Sequence, residues 1–164
     1  MRALGMAAAF AILAGAGALA EDNSLSPQAN AAFIAANAKK PGVVVELSGL
    51  QHRVIHSGYG KRPSGTDLVT VNYRGTLING KVFDATEPGL PAQFTVNKLI
   101  PGWTEALKLM REGDEWELVI PAGLAYGGRG AGGVIGPNQT LVFDLTLISV
   151  SPPPPDQDKN GQPQ

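Results

Sequence analysis

Between Val43 and Val150 only one stretch of this chain has helical spacing, and nearly everything around it alternates like strand. In Pro101 to Arg111 the apolar residues Trp103, Ala106, Leu107 and Met110 recur at i, i+3, i+4 and i+7, one face of a 3.6-residue period. Pro101 opens this segment, Lys108 and Arg111 lie in its last turn and Gly113 ends it, each where the free backbone groups and dipole of a helix favour it. Val43 to Leu47 and Gln51 to His56 are β-rich and separated by Ser48-Gly49. Leu68 to Leu77 sets Val69, Val71 and Tyr73 on one face and Thr70, Asn72 and Arg74 on the other. Asn79-Gly80 then supplies a tight hairpin turn into Lys81 to Asp84, because both residues tolerate positive φ. Gln93 to Val96 is a short strand; Glu115 to Ile120 aligns Trp116, Leu118 and Ile120; Leu141 to Val150 aligns Leu141, Phe143, Leu145 and Leu147. The sum is an α+β domain over 43–151: one antiparallel sheet, apolar on one face, covered by one short α-helix.

The flanks read differently. Residues 1–20 combine Arg2, an apolar run from Ala7 to Leu19 and the small-x-small site Ala18-Leu19-Ala20. That is the layout of a signal peptide, and its run is too short for a spanning helix. The other reading is an N-terminal membrane anchor. With no cysteine after Ala20, a lipid anchor has no attachment point. An exported chain without cysteine must hold its fold by burial alone, which is feasible at this size. Residues 21–42 form a short N-terminal helical extension: Ser26 caps, Pro27 starts, and Pro41-Gly42 stops an alanine-rich segment. Its apolar face is thin, with Phe33 and Ile34 as the only large residues, so a marginal lead-in helix is expected. Residues 152–164, four consecutive prolines and then polar residues, read as a disordered tail. A net charge of −1 with no basic block argues against nucleic acid or an anionic membrane as partner.

The familiar catalytic constellations are missing. Gly128, Gly130 and Gly133 spell G-x-G-x-x-G, but a dinucleotide fingerprint must follow a parallel strand and open a helix. Here a strand follows instead. His52 and His56 lie in a strand segment, where they would sit about 13 Å apart on one face, too far to share an ion; a surface role is expected for both. No cysteine nucleophile and no G-x-S-x-G elbow exist. Glu105, Glu112, Asp114, Glu115 and Glu117 read as a solvated face. Neither a metal nor a cofactor site emerges. What remains is aromatic: Tyr73, Phe83, Trp103, Tyr126 and Phe143 come from five separate elements, and Ile100, Val134 and Ile135 are apolar residues in loops or at a helix entry. By periodicity alone, the plain reading is that these residues form the core.

The motifs in order are Val71-Asn72-Tyr73-Arg74-Gly75-Thr76-Leu77, Asn79-Gly80-Lys81-Val82-Phe83-Asp84, Leu99-Ile100-Pro101-Gly102-Trp103, Ala125-Tyr126-Gly127 and Leu141-Val142-Phe143-Asp144. From about Ser48 to Val150 this succession resembles the FKBP-type peptidyl-prolyl cis-trans isomerases. Ile100 to Leu107 and Ser48 to Gln51 are similar to the bacterial macrophage infectivity potentiator branch. The resemblance implies a half-wrapped antiparallel sheet around the short helix, and rotation of X-Pro bonds in exported proteins without a cofactor. It assigns Trp103 as pocket floor and Tyr73, Phe83, Leu99, Ile100 and Phe143 as walls. Tyr126 would donate its hydroxyl, and the Ile100 N–H its proton, to substrate carbonyls. Asp84 would stand at the rim beside Tyr73, with general acid–base work by Asp84 as a lesser alternative. Val134 and Ile135 would cap one side from the glycine-rich flap.

Proline-containing polypeptides and tacrolimus- or rapamycin-type inhibitors are the implied ligands, and the periplasm or beyond is the implied location. A monomer is expected, because that branch dimerises through a longer arm. The alternative function is a non-catalytic chaperone or binding module for proline-containing or unfolded segments. Three positions depart from the family. No arginine follows Phe83-Asp84, where Ala85-Thr86-Glu87-Pro88 stands; Ala92 and Gln93 stand where an aromatic is frequent; and Ala131 is small for the flap. A rounder, more open pocket is expected on the Ala92 side.

Overall fold

The computed structural model describes residues 23–153 and residue 155. The expected signal peptide, and the expected tail apart from Pro152, Pro153 and Pro155, lie outside the described residues. The fold is one seven-stranded, wholly antiparallel sheet: β1 (Val43–Val45), β2 (Gln51–His56), β3 (Leu68–Leu77), β4 (Val82–Ala85), β5 (Ala92–Thr95), β6 (Glu115–Ile120) and β7 (Leu141–Ser151). The order across the sheet is β1-β2-β6-β7-β3-β4, with β5 also on β3. β3 and β7 pair along almost their whole lengths, from Leu68↔Ser151 to Leu77↔Leu141. Two short partners divide the other edge of β3: β5 beside Leu68–Val71 and β4 beside Arg74–Thr76.

Helix α2 (Pro101–Leu109) lies on the apolar face of this sheet. Its Trp103, Ala106 and Leu107 join Val69, Val71, Leu118, Ile120, Phe143, Leu145 and Leu147 in one buried core. Gly102 permits the approach, since a Cβ there would stand 2.5 Å from Ile120 Cγ2. The alternation of β3, β6 and β7 thus reads out as burial, and Val119, on the opposite phase of β6, is buried as well.

The N-terminal helix is attached in a way that its composition does not suggest. Helix α1 (Pro27–Asn37) is capped by Ser26, whose Oγ accepts from the Ala29 N–H at 3.1 Å. Its buried residues are Asn30 and Asn37, while Phe33 and Ile34 are only half-buried. Asn37 Nδ2 donates to Gln51 Oε1 at 2.8 Å, and Gln51 Nε2 donates to the Ile34 carbonyl at 3.1 Å. The helix therefore docks by amide hydrogen bonds, which compensate for its lack of an apolar stripe.

Two surface assignments are corrected, those of His52 and Asp114. His52 is buried, stacked on Trp116 with ring centroids 4.3 Å apart, with Nε2 2.8 Å from Glu46 Oε1; only His56 is exposed. Asp114 is buried and accepts the Gly58 N–H at 2.6 Å and the Arg111 N–H at 2.7 Å. Glu112 accepts the Val150 N–H at 2.6 Å and the Lys61 N–H at 3.2 Å. Each carboxylate takes one backbone donor from residues 58–61, a segment with no strand to pair with, and so pins that segment to the turn after α2.

Candidate active site

Above the exposed end of α2 the sheet and its loops enclose a cavity of about 430 Å³. Its lining comes from every side of the fold: Tyr73 of β3, Phe83 and Asp84 of β4, Phe94 of β5, Leu99 and Ile100 at the helix entry, Trp103 of α2, Tyr126 of the glycine-rich loop and Phe143 of β7. Lys98 completes the rim.

Trp103 is the floor. Its indole is almost fully buried, and three rings meet it edge-on: Tyr73 at 5.1 Å and 85°, Phe143 at 5.2 Å and 80°, and Phe94 at 5.9 Å and 86°. Edge-to-face packing suits the quadrupoles of these rings and holds them against one another. Phe83 meets Phe143 at 5.5 Å and 90°. Gly75, between them on β3, has no room for a side chain: a Cβ would lie 2.6 Å from Phe83 Cζ and 2.7 Å from Phe143 Cε1.

The polar rim is as ordered as the walls. The Tyr73 hydroxyl donates to Asp84 Oδ2 at 2.7 Å. Burial, then that hydrogen bond, then the charges of Asp84 and Tyr126, push the Tyr73 phenol well above its usual range, because each penalises a phenolate there. Tyr73 is consequently a fixed, neutral donor. Where the expected arginine is lacking, Thr86 fastens the same strand: its N–H donates to the Tyr73 carbonyl at 3.0 Å, and its hydroxyl accepts the Tyr73 N–H at 3.1 Å. Tyr126 is exposed over two-fifths of its surface, and its hydroxyl makes no hydrogen bond among the described residues.

The cavity thus gathers eight of the ten residues singled out in the sequence. Val134 and Ile135 stand outside its lining: Ile135 is buried in the main core, and Val134 is largely exposed. The Ala131–Ile135 bridge that closes the loop tip directs them there. Two lining residues went unassigned in the sequence. Phe94 could have been found from its strand phase, since it stands opposite the fully buried Val69 of β3. It supplies an aromatic wall on the side where Ala92 stands. Lys98 carries no signal; a single turn over Val96–Lys98 brings it to the rim.

A family model for the FKBP-type peptidyl-prolyl cis-trans isomerases matches residues 60–148. The chain belongs to this family. Among curated relatives, it is 58% identical over 120 residues to the Outer membrane protein MIP of Legionella longbeachae, and 54% identical over 119 residues to the FKBP-type 22 kDa peptidyl-prolyl cis-trans isomerase of Escherichia coli. Those alignments take in 73% and 72% of this chain but 52% and 58% of the relatives, so the chain spans little more than half their length. Among solved structures, the peptidyl-prolyl cis-trans isomerase of Pseudomonas syringae pv. tomato superposes with a TM-score of 0.72 at 40% identity, over 76% of this chain and 92% of that one. FkpA from Escherichia coli gives 0.73 at 44%, over 76% and 59%. The α+β fold of this FKBP-type domain is therefore that of its relatives, and its macrophage-infectivity-potentiator-like character rests on the first of them.

Proposed function

We propose that this FKBP-type domain is a peptidyl-prolyl cis-trans isomerase acting on X-Pro bonds of exported polypeptides. The observation that supports it best is the ring cluster on Trp103: a closed apolar floor with the neutral Tyr73 hydroxyl fixed on Asp84 at the rim. Amide resonance holds the X-Pro bond planar behind a barrier of roughly 20 kcal/mol. That resonance is polar, and water favours it. A proline ring seated on Trp103 leaves water, while the twisted, less polar amide fits an apolar wall better than the planar one does. The Tyr126 hydroxyl and the Ile100 N–H hold the flanking carbonyls, so the chain pivots about a fixed end. A ten-thousandfold acceleration requires about 5.5 kcal/mol of preferential stabilisation, within reach of a buried ring and two hydrogen bonds.

The deciding assay is isomerisation of a short Xaa-Pro peptide, with and without excess tacrolimus. Catalysis abolished by the drug supports the proposal. Binding of the drug without catalysis overturns it in favour of a binding module. An exported location, tested by fractionation of cells expressing the full chain, and a monomer, tested by light scattering, complete the proposal. Among the described residues no helix is long and apolar enough to cross a membrane.

A further inference from the structure

Asn30 lies in the first turn of α1 with 4% of its surface exposed, an unusual burial for an amide on a helix with so thin an apolar face. All its polar atoms are engaged. Nδ2 shares its hydrogens among the Leu25 carbonyl (3.2 Å), the Ser26 carbonyl (3.0 Å) and Gln139 Oε1 (3.2 Å), and Oδ1 accepts the Thr140 N–H at 2.8 Å. Gln139 returns Nε2 to the Leu25 and Pro137 carbonyls, both at 3.1 Å. Thr140 precedes the first residue of β7, so the sheet does not use its N–H; Asn30 does.

These contacts fall on the exit of the glycine-rich loop. One residue upstream of Gln139, Asn138 in left-handed conformation (φ 56°) donates its N–H to the Gly127 carbonyl at 2.8 Å and closes the loop base. Gly127, itself at positive φ, follows Tyr126 directly. A short chain of bonds therefore runs from α1 through Thr140 and Gln139 to Asn138, Gly127 and the pocket tyrosine. We propose that Asn30 is a positioning residue for isomerisation, fixing the loop base and through it the place of Tyr126. The inference rests on the role given to Tyr126 above. It also gives the N-terminal helix a task in the reaction that its composition does not suggest.

Asn37 is a built-in control. It anchors the other end of the same helix, on Gln51, with no link to the loop. The test compares Asn30→Ala, Asn37→Ala, Tyr126→Phe and the Asn30→Ala/Tyr126→Phe double variant of the full chain, by peptide isomerisation and by thermal unfolding. Both asparagine variants are expected to lower the Tm. Only Asn30→Ala is expected to lower kcat/KM of the folded protein, by about threefold to tenfold, within the span for residues acting through a contact network. The double variant is expected to match Tyr126→Phe, because the two losses are one loss. Should Asn30→Ala not fold, Gln139→Met tests the same link, with a smaller loss expected. Equal effects of Asn30→Ala and Asn37→Ala on kcat/KM, additive losses in the double variant, or no loss in Asn30→Ala overturn the inference alone. Wild-type activity in Tyr126→Phe overturns the role of Tyr126 and this inference with it.

Discussion

Replacing Gly75 by alanine puts one methyl group where two pocket walls meet. It would stand 2.6 and 2.9 Å from Phe83 Cζ and Cε2 and 2.7 Å from Phe143 Cε1, against an optimal carbon–carbon separation of about 3.5–4.0 Å. Relief therefore requires about 1 Å of movement. Phe143 is buried and braced by Trp103 at 5.2 Å, whereas Phe83 is half-buried on the short strand β4, so Phe83 is the ring that gives way. Overpacking of this kind costs about 1–3 kcal/mol, a fall in Tm of roughly 4–15 °C for a domain of this size. Displacing a wall by that distance is expected to lower kcat/KM by about tenfold to a hundredfold. Gly123→Ala is the control: its Cβ meets nothing within 4 Å and its φ is ordinary, so its stability should stay within about 0.5 kcal/mol of wild type. Thermal unfolding and peptide isomerisation of both variants decide the matter. A Gly75→Ala protein with wild-type Tm and wild-type kcat/KM would refute the account of how the two rings are placed.

Trp103→Leu removes the surface that three rings pack against and no hydrogen bond, since the indole N–H has no partner among the described residues; kcat/KM should fall at least about tenfold, with a Tm loss from the cavity left behind, and an unchanged rate would remove Trp103 from the site. Tyr73, its phenol raised by burial and by Asp84, should stay protonated past the ordinary tyrosine range near 10. The folded state then holds that proton more tightly than the unfolded one, so the contribution is complete below about pH 10 and lost as pH rises beyond it; tyrosinate absorbance should show a late step that Tyr73→Phe abolishes. For Glu112, hydrogen bonds first from the Val150 N–H and then from the Lys61 N–H hold the carboxyl below its usual value. Its contribution is present above the ordinary carboxylate range and lost as pH falls through the lowered value. The Tm difference between wild type and Glu112→Gln should therefore shrink in acid, and a difference independent of pH would contradict the assignment.

The strands and the single sheet-covering helix were legible because burial imposes a period on sequence. Val69 and Val71 of β3, Leu118 and Ile120 of β6 and Leu145 and Leu147 of β7 are the same residues whether chosen by alternation or by burial. Phe94 obeys the same rule and was within reach of it. The polar fastenings were not legible. Asp114 and Glu112 look like any acidic pair after a helix, and only the return of residues 58–61 and of β7 to that corner gives them backbone donors. Asn30 and Asn37 break the pattern that would advertise a docking face, so the helix they anchor reads as a loose lead-in.

The sequence by itself determined the element types, the core phase and the family, because local periodicity and ordered motifs are properties of neighbours along the chain. Which aromatic rings are core and which face a cavity was decided only in three dimensions. Tyr73, Trp103 and Phe143 share their phase with buried neighbours, and only the opening left between α2, β4, β5 and the Tyr126 loop turns their outer edges into a pocket. Ile135 went the other way, carried into the core by the turn at the loop tip. Side chains in a closed core and those in a binding cavity satisfy the same hydrophobic periodicity; what separates them is whether another element covers them, and that is fixed by long-range packing.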